Sequence, residues 1–393
     1  MNKSSILLTV ISFLLFTSFT PLLAVHAASK EENQPELAED AKSAILIEQD
    51  TGTILFNKNP HEKLPPASMT KIMTLLLIME AIDEGSLSLD EKVRVSENAA
   101  SMGGSQIFLE AGEEMSVTDL LKGIAIASAN DASVALAERI AGSEQAFVKA
   151  MNEKAKSLGL ENTNFQNTSG LPADDHYSTA YDMAMMAREL LKYEKITEFT
   201  SIYEDYLRKD TDKEFWLVNT NKLVRFYPEV DGLKTGYTSE AKYCLTATAK
   251  KDDMRVVAVV LGYESSKARN AAVSSMLDYA FNQFETERLY EEGEVITEIT
   301  TLKGDRKKTN IITASPISTI HTKGQKLEDL TTEYELMDDI SLPIEQGDRI
   351  GTLLIKNGEE IIIESPLTVE HPIHKASFFT LMKRSLQEVA VFE

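Results

Sequence analysis

Ser68 and Lys71 stand three residues apart, and theirs is the first spacing in the chain that could do chemistry. On a helix, residues three apart share a face, so the Lys71 amine can reach the Ser68 hydroxyl. A serine becomes a good nucleophile only beside a base. A lysine serves as that base only when neutral. Lowering its pKa from ~10.4 to near 7 takes roughly 4 kcal/mol of bias, which burial and a second nearby cation can supply. Pro65-Pro66-Ala67 suits a helix entry, and a helix N-terminus aims N–H groups at developing negative charge. Taken alone, Ser-x-x-Lys equally describes a capping serine and a solvated lysine.

Two further groups could complete such a site. Ser128-Ala129-Asn130 falls between a helix ending near Ala127 and one beginning at Asp131, so two polar side chains can point from that loop into one cleft. Lys234-Thr235-Gly236 follows Asp231-Gly232 and precedes Tyr237-Thr238. On a strand, alternation places Lys234 and Gly236 on one face and Thr235 and Tyr237 on the other. A glycine there often permits close backbone approach by a ligand.

These groups need elements to position them. Ala44–Ile47 and Ile54–Phe56 read as a hairpin around Asp50-Thr51-Gly52. That triplet has no second copy to form a carboxylate pair, so it reads as a turn. Helical patterns dominate from 68 to 200, with capping boxes expected at Ser116-Val-Thr-Asp119 and Thr179-Ala-Tyr-Asp182. Strand patterns follow at Glu214–Val218, Gly232–Tyr237, Tyr243–Ala249 and Arg255–Leu261, then a helix over Lys267–Phe284. This order predicts an α+β domain whose antiparallel sheet is closed by both chain ends. From about residue 290 the chain is rich in Ile, Thr and turn residues, with short alternating runs at Val295–Ile299, Asn310–Thr313 and Ile350–Ile355, which predicts a small all-β domain.

The two ends of the chain speak to location. Lys3, the apolar run Ile6–Ala24 and the small residues of Val25-His26-Ala27 read as an export signal cut after Ala27. Residues 28–42 read as a polar linker. The expected divisions are therefore 1–27 signal peptide, 28–42 linker, 43–288 catalytic domain, 289–375 β-rich domain and 376–393 terminal helix. In that last segment Phe378, Phe379, Leu381, Met382, Leu386, Val389 and Phe392 share one helical face, opposite Lys383, Arg384, Gln387 and Glu388. Its central Lys-Arg pair disfavours spanning a bilayer and suits an in-plane membrane anchor.

Composition excludes several classes. The chain has 393 residues, with 40 Lys+Arg against 62 Asp+Glu, a net charge of −22. So acidic a chain offers little to a phosphate backbone, and no nucleic-acid partner is expected. A single cysteine, Cys244, rules out an internal disulfide or a Cys-rich zinc site, and no histidine lies in an HExxH pattern; no metal or cofactor is expected. Cys244 reads as a small packed residue of a strand beside Lys234. His176 reads as a structural hydrogen-bonding residue.

Ser-x-x-Lys on a helix, Ser-x-Asn on an inter-helix loop and Lys-Thr-Gly on a late strand occur here in that order. The conjunction resembles the penicillin-recognising serine acyltransferases, which include class A β-lactamases and penicillin-binding proteins. Within them the chain is similar to the D-alanyl-D-alanine carboxypeptidases, the low-molecular-mass penicillin-binding proteins. The stretches that carry this are Pro66–Lys71, Gly103–Leu109, Ala127–Ala132, His176–Met183 and Asp231–Thr238. The finer likeness is to the carboxypeptidase that spore-forming bacilli use during sporulation.

The resemblance implies a β-lactamase/transpeptidase-like domain and a set of roles. Ser68 would attack the carbonyl between two D-alanines, Lys71 would take its proton, and Ser128 would relay a proton to the leaving amine. Asn130 would hold the substrate amide, while Lys234, Thr235 and Thr238 would receive the terminal carboxylate. Gly236 and Tyr237 belong to the same binding strand, and the N–H groups of Ser68 and Tyr237 would form the oxyanion hole. The implied partners are a peptidoglycan stem peptide ending in D-Ala-D-Ala, β-lactams as covalent inhibitors, and a membrane surface, outside the cytoplasmic membrane. Asn162–Ser169 lacks the Glu-x-x-Leu-Asn pattern by which class A β-lactamases hydrolyse their acyl-enzyme, so a lasting penicillin adduct is expected. A D,D-endopeptidase using the same residues, or a non-hydrolytic β-lactam- or wall-binding protein, are the competing readings.

Overall fold

The computed structural model describes residues 35–325, 330–337 and 340–390, the side chains of 385–390 excepted. The proposed signal segment and the last three residues lie outside these, as does the linker up to residue 34.

Ser43–Glu48 and Ile54–Lys58 form the expected hairpin. Ser43–Glu48 then pairs antiparallel with Met254–Tyr263, closing a five-stranded sheet in the order Ile54–Lys58, Ser43–Glu48, Met254–Tyr263, Lys242–Lys251, Val230–Thr238. Both ends of this part of the chain therefore meet in one sheet. Its central strands bury both faces, which is why they read as unbroken apolar runs rather than alternating ones. Ile45, Ile47, Val257 and Val259 face one core, shared with Ile72, Leu76 and Leu120. Ala44, Leu46, Val256 and Ala258 face a second, formed with Val273, Met276 and Phe281 of the helix Ser266–Gln283. A one-residue slip would exchange the two faces, so the register is strongly specified.

The helices occupy Lys71–Asp83, Val117–Ala127, Asn130–Ala141, Glu144–Ser157 and Ala180–Leu190. Ser116 and Thr179 cap as expected, each side-chain oxygen accepting from the backbone N–H three residues on. Neither cap is a reciprocal box: Asp119 accepts from the Ser116 hydroxyl, and Asp182 from Asn162 N and Thr163 Oγ1. Phe215–Val218 does not join the central sheet. It pairs with Glu204–Leu207 in a separate two-stranded ribbon, since Thr220 and Asn221 turn the chain away before Val230.

The C-terminal part forms a second five-stranded sheet, Val295–Thr300, Lys308–Thr313, Glu360–Val369, Gly351–Asn357 and Leu330–Leu336, around Ile311, Leu353, Leu367 and Val369. The strand Phe284–Tyr290 crosses the expected 288/289 border and pairs with Ile317–Thr322. The Asp50 turn is where the two parts lock: its carboxylate accepts from Arg288 Nη2 at 2.7 Å and from Ser318 Oγ at 2.8 Å. A last helix runs Phe378–Ala390, with Phe378 and Phe379 each 74% exposed. Arg384 reaches back from it to the carbonyls of Leu302, Gly304 and Asp305. Among the described residues, no helix is long and apolar enough to cross a membrane.

Candidate active site

Ser68 sits on a single 3₁₀ turn, Ala67–Thr70, that runs straight into the helix beginning at Lys71. The sequence led us to expect a regular helix here; the two prolines and the positive φ of Ala67 tighten the entry instead. Ala67, Met69 and Thr70 are buried, and Ser68 alone in the turn stays half-buried. The nucleophile candidate is thus presented on a rigid support.

Lys71 is fully buried. Its Nζ lies 2.7 Å from Asn130 Oδ1, 2.8 Å from the Ser169 carbonyl and 3.3 Å from Ser68 Oγ. An ammonium would donate to all three. A neutral amine has two N–H groups for Asn130 and Ser169, leaving its lone pair for the Ser68 hydroxyl proton. Burial, and then the charge of Lys234, hold Lys71 well below the usual lysine range; Asp131 opposes them. This is the second cation that the spacing alone called for. Lys234 is itself buried, and burial with the charge of Arg269 pushes it down to about 7.

Ser128 takes a left-handed conformation, φ 64°, at the C-terminal end of Val117–Ala127. It is 4% exposed, and its hydroxyl oxygen has no hydrogen-bond partner among the described residues. A buried hydroxyl left unpaired costs about 1–3 kcal/mol, so a strained residue with an orphan oxygen points to function. Asn130 is the first residue of the next helix rather than part of the loop. Both ends of its amide are engaged: Oδ1 by Lys71, and Nδ2 donating to the Gly103 carbonyl at 2.7 Å. A second Nδ2 hydrogen is left for a ligand.

Gly236 corrects an expectation. A Cβ there would lie 2.7 Å from the Pro66 carbonyl and 3.3 Å from Ala67 Cβ. The close approach this glycine permits is that of the serine-bearing turn, not of a ligand. On the same strand Thr235 Oγ1 donates to Thr220 Oγ1 at 2.9 Å, and the exposed Tyr237 ring lies 4.5 Å from that of Tyr243. Thr238 Oγ1 accepts from Ala241 N at 3.0 Å, leaving its own proton to donate. The structure thus gathers Ser68, Lys71, Asn130, Lys234 and the Gly236 backbone around one turn. A cavity of about 520 Å³ opens beside it, lined by Pro65, Ala67, Gly170, Leu171, Tyr177 and Thr238 among others.

Sequence reasoning missed five contributors. The Ser169 carbonyl holds Lys71, and Gly170 lets that loop pass the serine turn; a Cβ on Gly170 would fall 1.8 Å from Ala67 O. Asn167 Oδ1 shapes the loop by accepting from Gly170 N at 2.7 Å and from Ser169 N and Leu171 N at 3.2 Å. The string Asn167-Thr-Ser-Gly170 was the available signal, as an Asx turn. Asp131 anchors the Gly103–Leu109 stretch by accepting from Ile107 N and Leu109 N. Arg269 is buried, donates to the Cys244 carbonyl, and supplies the third cation of the series; nothing in its helix sequence singles it out.

Cys244 is packed, its thiol pushed up to about 11 by burial. His176 is structural. Gln166 N donates to its Nδ1, so Nε2 carries the proton and donates to Thr70 Oγ1 at 2.8 Å, bracing the serine turn. Burial lowers this imidazole to about 4 from 6.5. The neutral form packs, while the unfolded chain takes up a proton near 6.5. The residue's stabilisation is therefore complete above pH 6.5 and is lost as pH falls toward 4, by at most about 3 kcal/mol. Urea unfolding at pH 6.5 and 4.5 should show a smaller loss for His176→Gln than for the unmodified chain. Equal losses would contradict a buried neutral imidazole.

Among the described residues, no group of three or more His, Cys, Asp or Glu side chains could hold a metal ion. Comparison with known proteins agrees with this geometry. The family described as D-alanyl-D-alanine carboxypeptidase matches residues 28–265, and that described as penicillin-binding protein 5, C-terminal domain, matches 284–375. The chain is 55% identical to D-alanyl-D-alanine carboxypeptidase DacF of Bacillus subtilis over 99% of both chains. It is 33% identical to D-alanyl-D-alanine carboxypeptidase DacC of Escherichia coli over 92% of each. Its fold matches the crystal structure of penicillin binding protein 5 from Haemophilus influenzae with a TM-score of 0.68 and 30% identity, covering 87% of this chain and 99% of that one.

Proposed function

The chain belongs to the D-alanyl-D-alanine carboxypeptidase family and is a serine-type enzyme of that activity; from that premise we propose how its residues divide the work. The Ser68 oxygen attacks the carbonyl of the penultimate D-alanine while its proton passes to neutral Lys71. The N–H groups of Ser68 and Tyr237 hold the resulting oxyanion. The amide bond breaks, the leaving amine of the terminal D-alanine takes a proton relayed from Lys71 through Ser128, and an ester to Ser68 remains. Water then gives its proton to Lys71 and its hydroxide to the ester carbonyl, and Ser68 recovers its proton as it leaves.

Asn130 has a double part in this reading. Its carbonyl oxygen positions Lys71, and its remaining N–H holds the substrate amide. Lys234, Thr235 and Thr238 receive the terminal carboxylate. Lys71 in hydrogen-bond reach of Ser68, beside a second buried cation, is the observation that carries the proposal. The test is D-alanine release from a peptide ending in D-Ala-D-Ala, with intact mass measured after benzylpenicillin. Release with a lasting adduct supports it. Rapid penicillin turnover without an adduct would point to a β-lactamase. An adduct without release would favour a cross-link endopeptidase or a non-hydrolytic binder.

We place the mature chain, cut after Ala27, at the outer face of the cytoplasmic membrane. The exposed Phe378 and Phe379 rings support an in-plane anchor, with Arg384 tying the helix to the β-rich part. Co-sedimentation with phospholipid vesicles should weaken on the order of tenfold in Phe378→Ser/Phe379→Ser, roughly 1.4 kcal/mol, with peptide hydrolysis unchanged. Undiminished binding would remove the helix from this role. The sporulation likeness concerns when the chain is made, and transcript levels through growth and sporulation would test it.

A further inference from the structure

We infer that the outer face of the ribbon Glu204–Leu207/Phe215–Val218 is a docking surface for the amino-sugar strand that carries the stem peptide. The inference rests on the activity proposed above. Tyr206 and Trp216 stand directly opposite each other in the ribbon, so their rings share one face. They are 42% and 54% exposed. The other face is spent on the core, where Leu207 and Leu217 are buried and Asp205 pairs with Lys122. Two large rings side by side in water, on a ribbon whose apolar needs are already met, call for a partner.

The chemistry of the pair fits a sugar. Pyranose rings present flat C–H faces that stack on aromatic rings, and their hydroxyls need acceptors beside the rings. Tyr and Trp combine an apolar body with a polar tip. Glu204, two residues from Tyr206 on the same face, is exposed and offers a carboxylate. The same carboxylate, on a chain of net charge −22, repels an anionic lipid or nucleic-acid surface but not a neutral glycan.

The ribbon is tied to the strand and loop that carry the catalytic groups. Four residues beyond Trp216, about 13 Å along the chain, Thr220 bonds the Thr235 hydroxyl. At the other strand, Arg208 donates to the carbonyls of Ile107 and Phe108, in the loop whose Ser105 carbonyl accepts from Asn130 N. The rings are thereby held at a fixed offset from Ser68. A glycan seated on them would present its stem peptide repeatedly to one nucleophile, which raises effective concentration without new contacts at the reacting carbonyl.

Trp216 is the only tryptophan in the chain, so its fluorescence reports this face alone. Titration with a tetramer of N-acetylglucosamine, which carries no peptide, should give a saturable change that Tyr206→Ala weakens at least about threefold. Trp216→Ala should leave D-alanine release from a short soluble peptide unchanged and lower release from glycan-linked pentapeptide several-fold. An unchanged fluorescence with equal rates on both substrates would overturn the inference. So would a spectral shift given by phospholipid vesicles and not by the sugar. If the unmodified enzyme released no D-alanine from the short peptide, the catalytic proposal would fail, while the sugar titration would still judge this one.

Discussion

Ser68→Ala is expected to lower D-alanine release by on the order of 10⁴-fold or more, as removal of a nucleophile does elsewhere, and to abolish the benzylpenicillin adduct. The fold should barely notice. Ser68 is half-buried, and its hydroxyl is engaged only by Lys71 at the long distance of 3.3 Å. The turn is held by other groups: Met69 N donates to Pro66 O, and Thr70 is braced by His176. An unchanged melting temperature with lost activity therefore separates chemistry from folding. Ser128→Ala supplies the contrast. Its hydroxyl has no partner among the described residues, so removing it costs no hydrogen bond. It should be neutral or slightly stabilising while slowing turnover, because a relay is lost and Lys71 remains. An adduct that persisted in Ser68→Ala, at any residue, would remove Ser68 from the nucleophile's place.

The legible part of this site was the part written in local spacing. Ser68 and Lys71 are placed by one turn, Ser128 and Asn130 by one junction, and Lys234 and Gly236 by one strand period. Those relations survive folding because they are set by backbone geometry. What the chain hid were contacts made across it. Ser169 is 98 residues from Lys71, and only the packed loop shows that its carbonyl holds the amine. In the sequence Gly236 suggests room for a ligand and Gly170 carries no signal of its own; in the fold each is required because a different segment passes against the serine turn. Arg269 reads as one of several polar residues on a helix, and its burial beside the Cys244 carbonyl is a tertiary fact. The fold class was legible for a related reason. Hairpin, helices, then strands leave few antiparallel solutions, but the burial of both faces of Ser43–Glu48 could be recognised only once helices were seen on each side.

The electrostatic coupling between Lys71 and Lys234 makes the sharpest demand on the reading. Lys71 works as a base only when neutral, so the acidic limb of kcat/KM should follow its ionisation in the free enzyme. Three influences set that limb: burial lowers the pKa, the Lys234 charge lowers it further, and Asp131 raises it. Lys234 is pushed to about 7 by burial and Arg269, so below neutrality Lys234 is charged and opposes a proton on Lys71. Removing that charge raises the Lys71 pKa. The limb of Lys234→Met should accordingly move to higher pH, by on the order of one unit, or about 1.4 kcal/mol. Lys234→Arg keeps the charge and should keep the limb in place, although both variants lose plateau rate because both disturb carboxylate binding. The position of the limb thus isolates the electrostatic role from the binding role. The profile of kcat alone should shift less, since in the proposed complex the substrate carboxylate would already neutralise Lys234. A limb unmoved in Lys234→Met would mean that burial alone keeps Lys71 neutral, and that Lys234 serves only to bind.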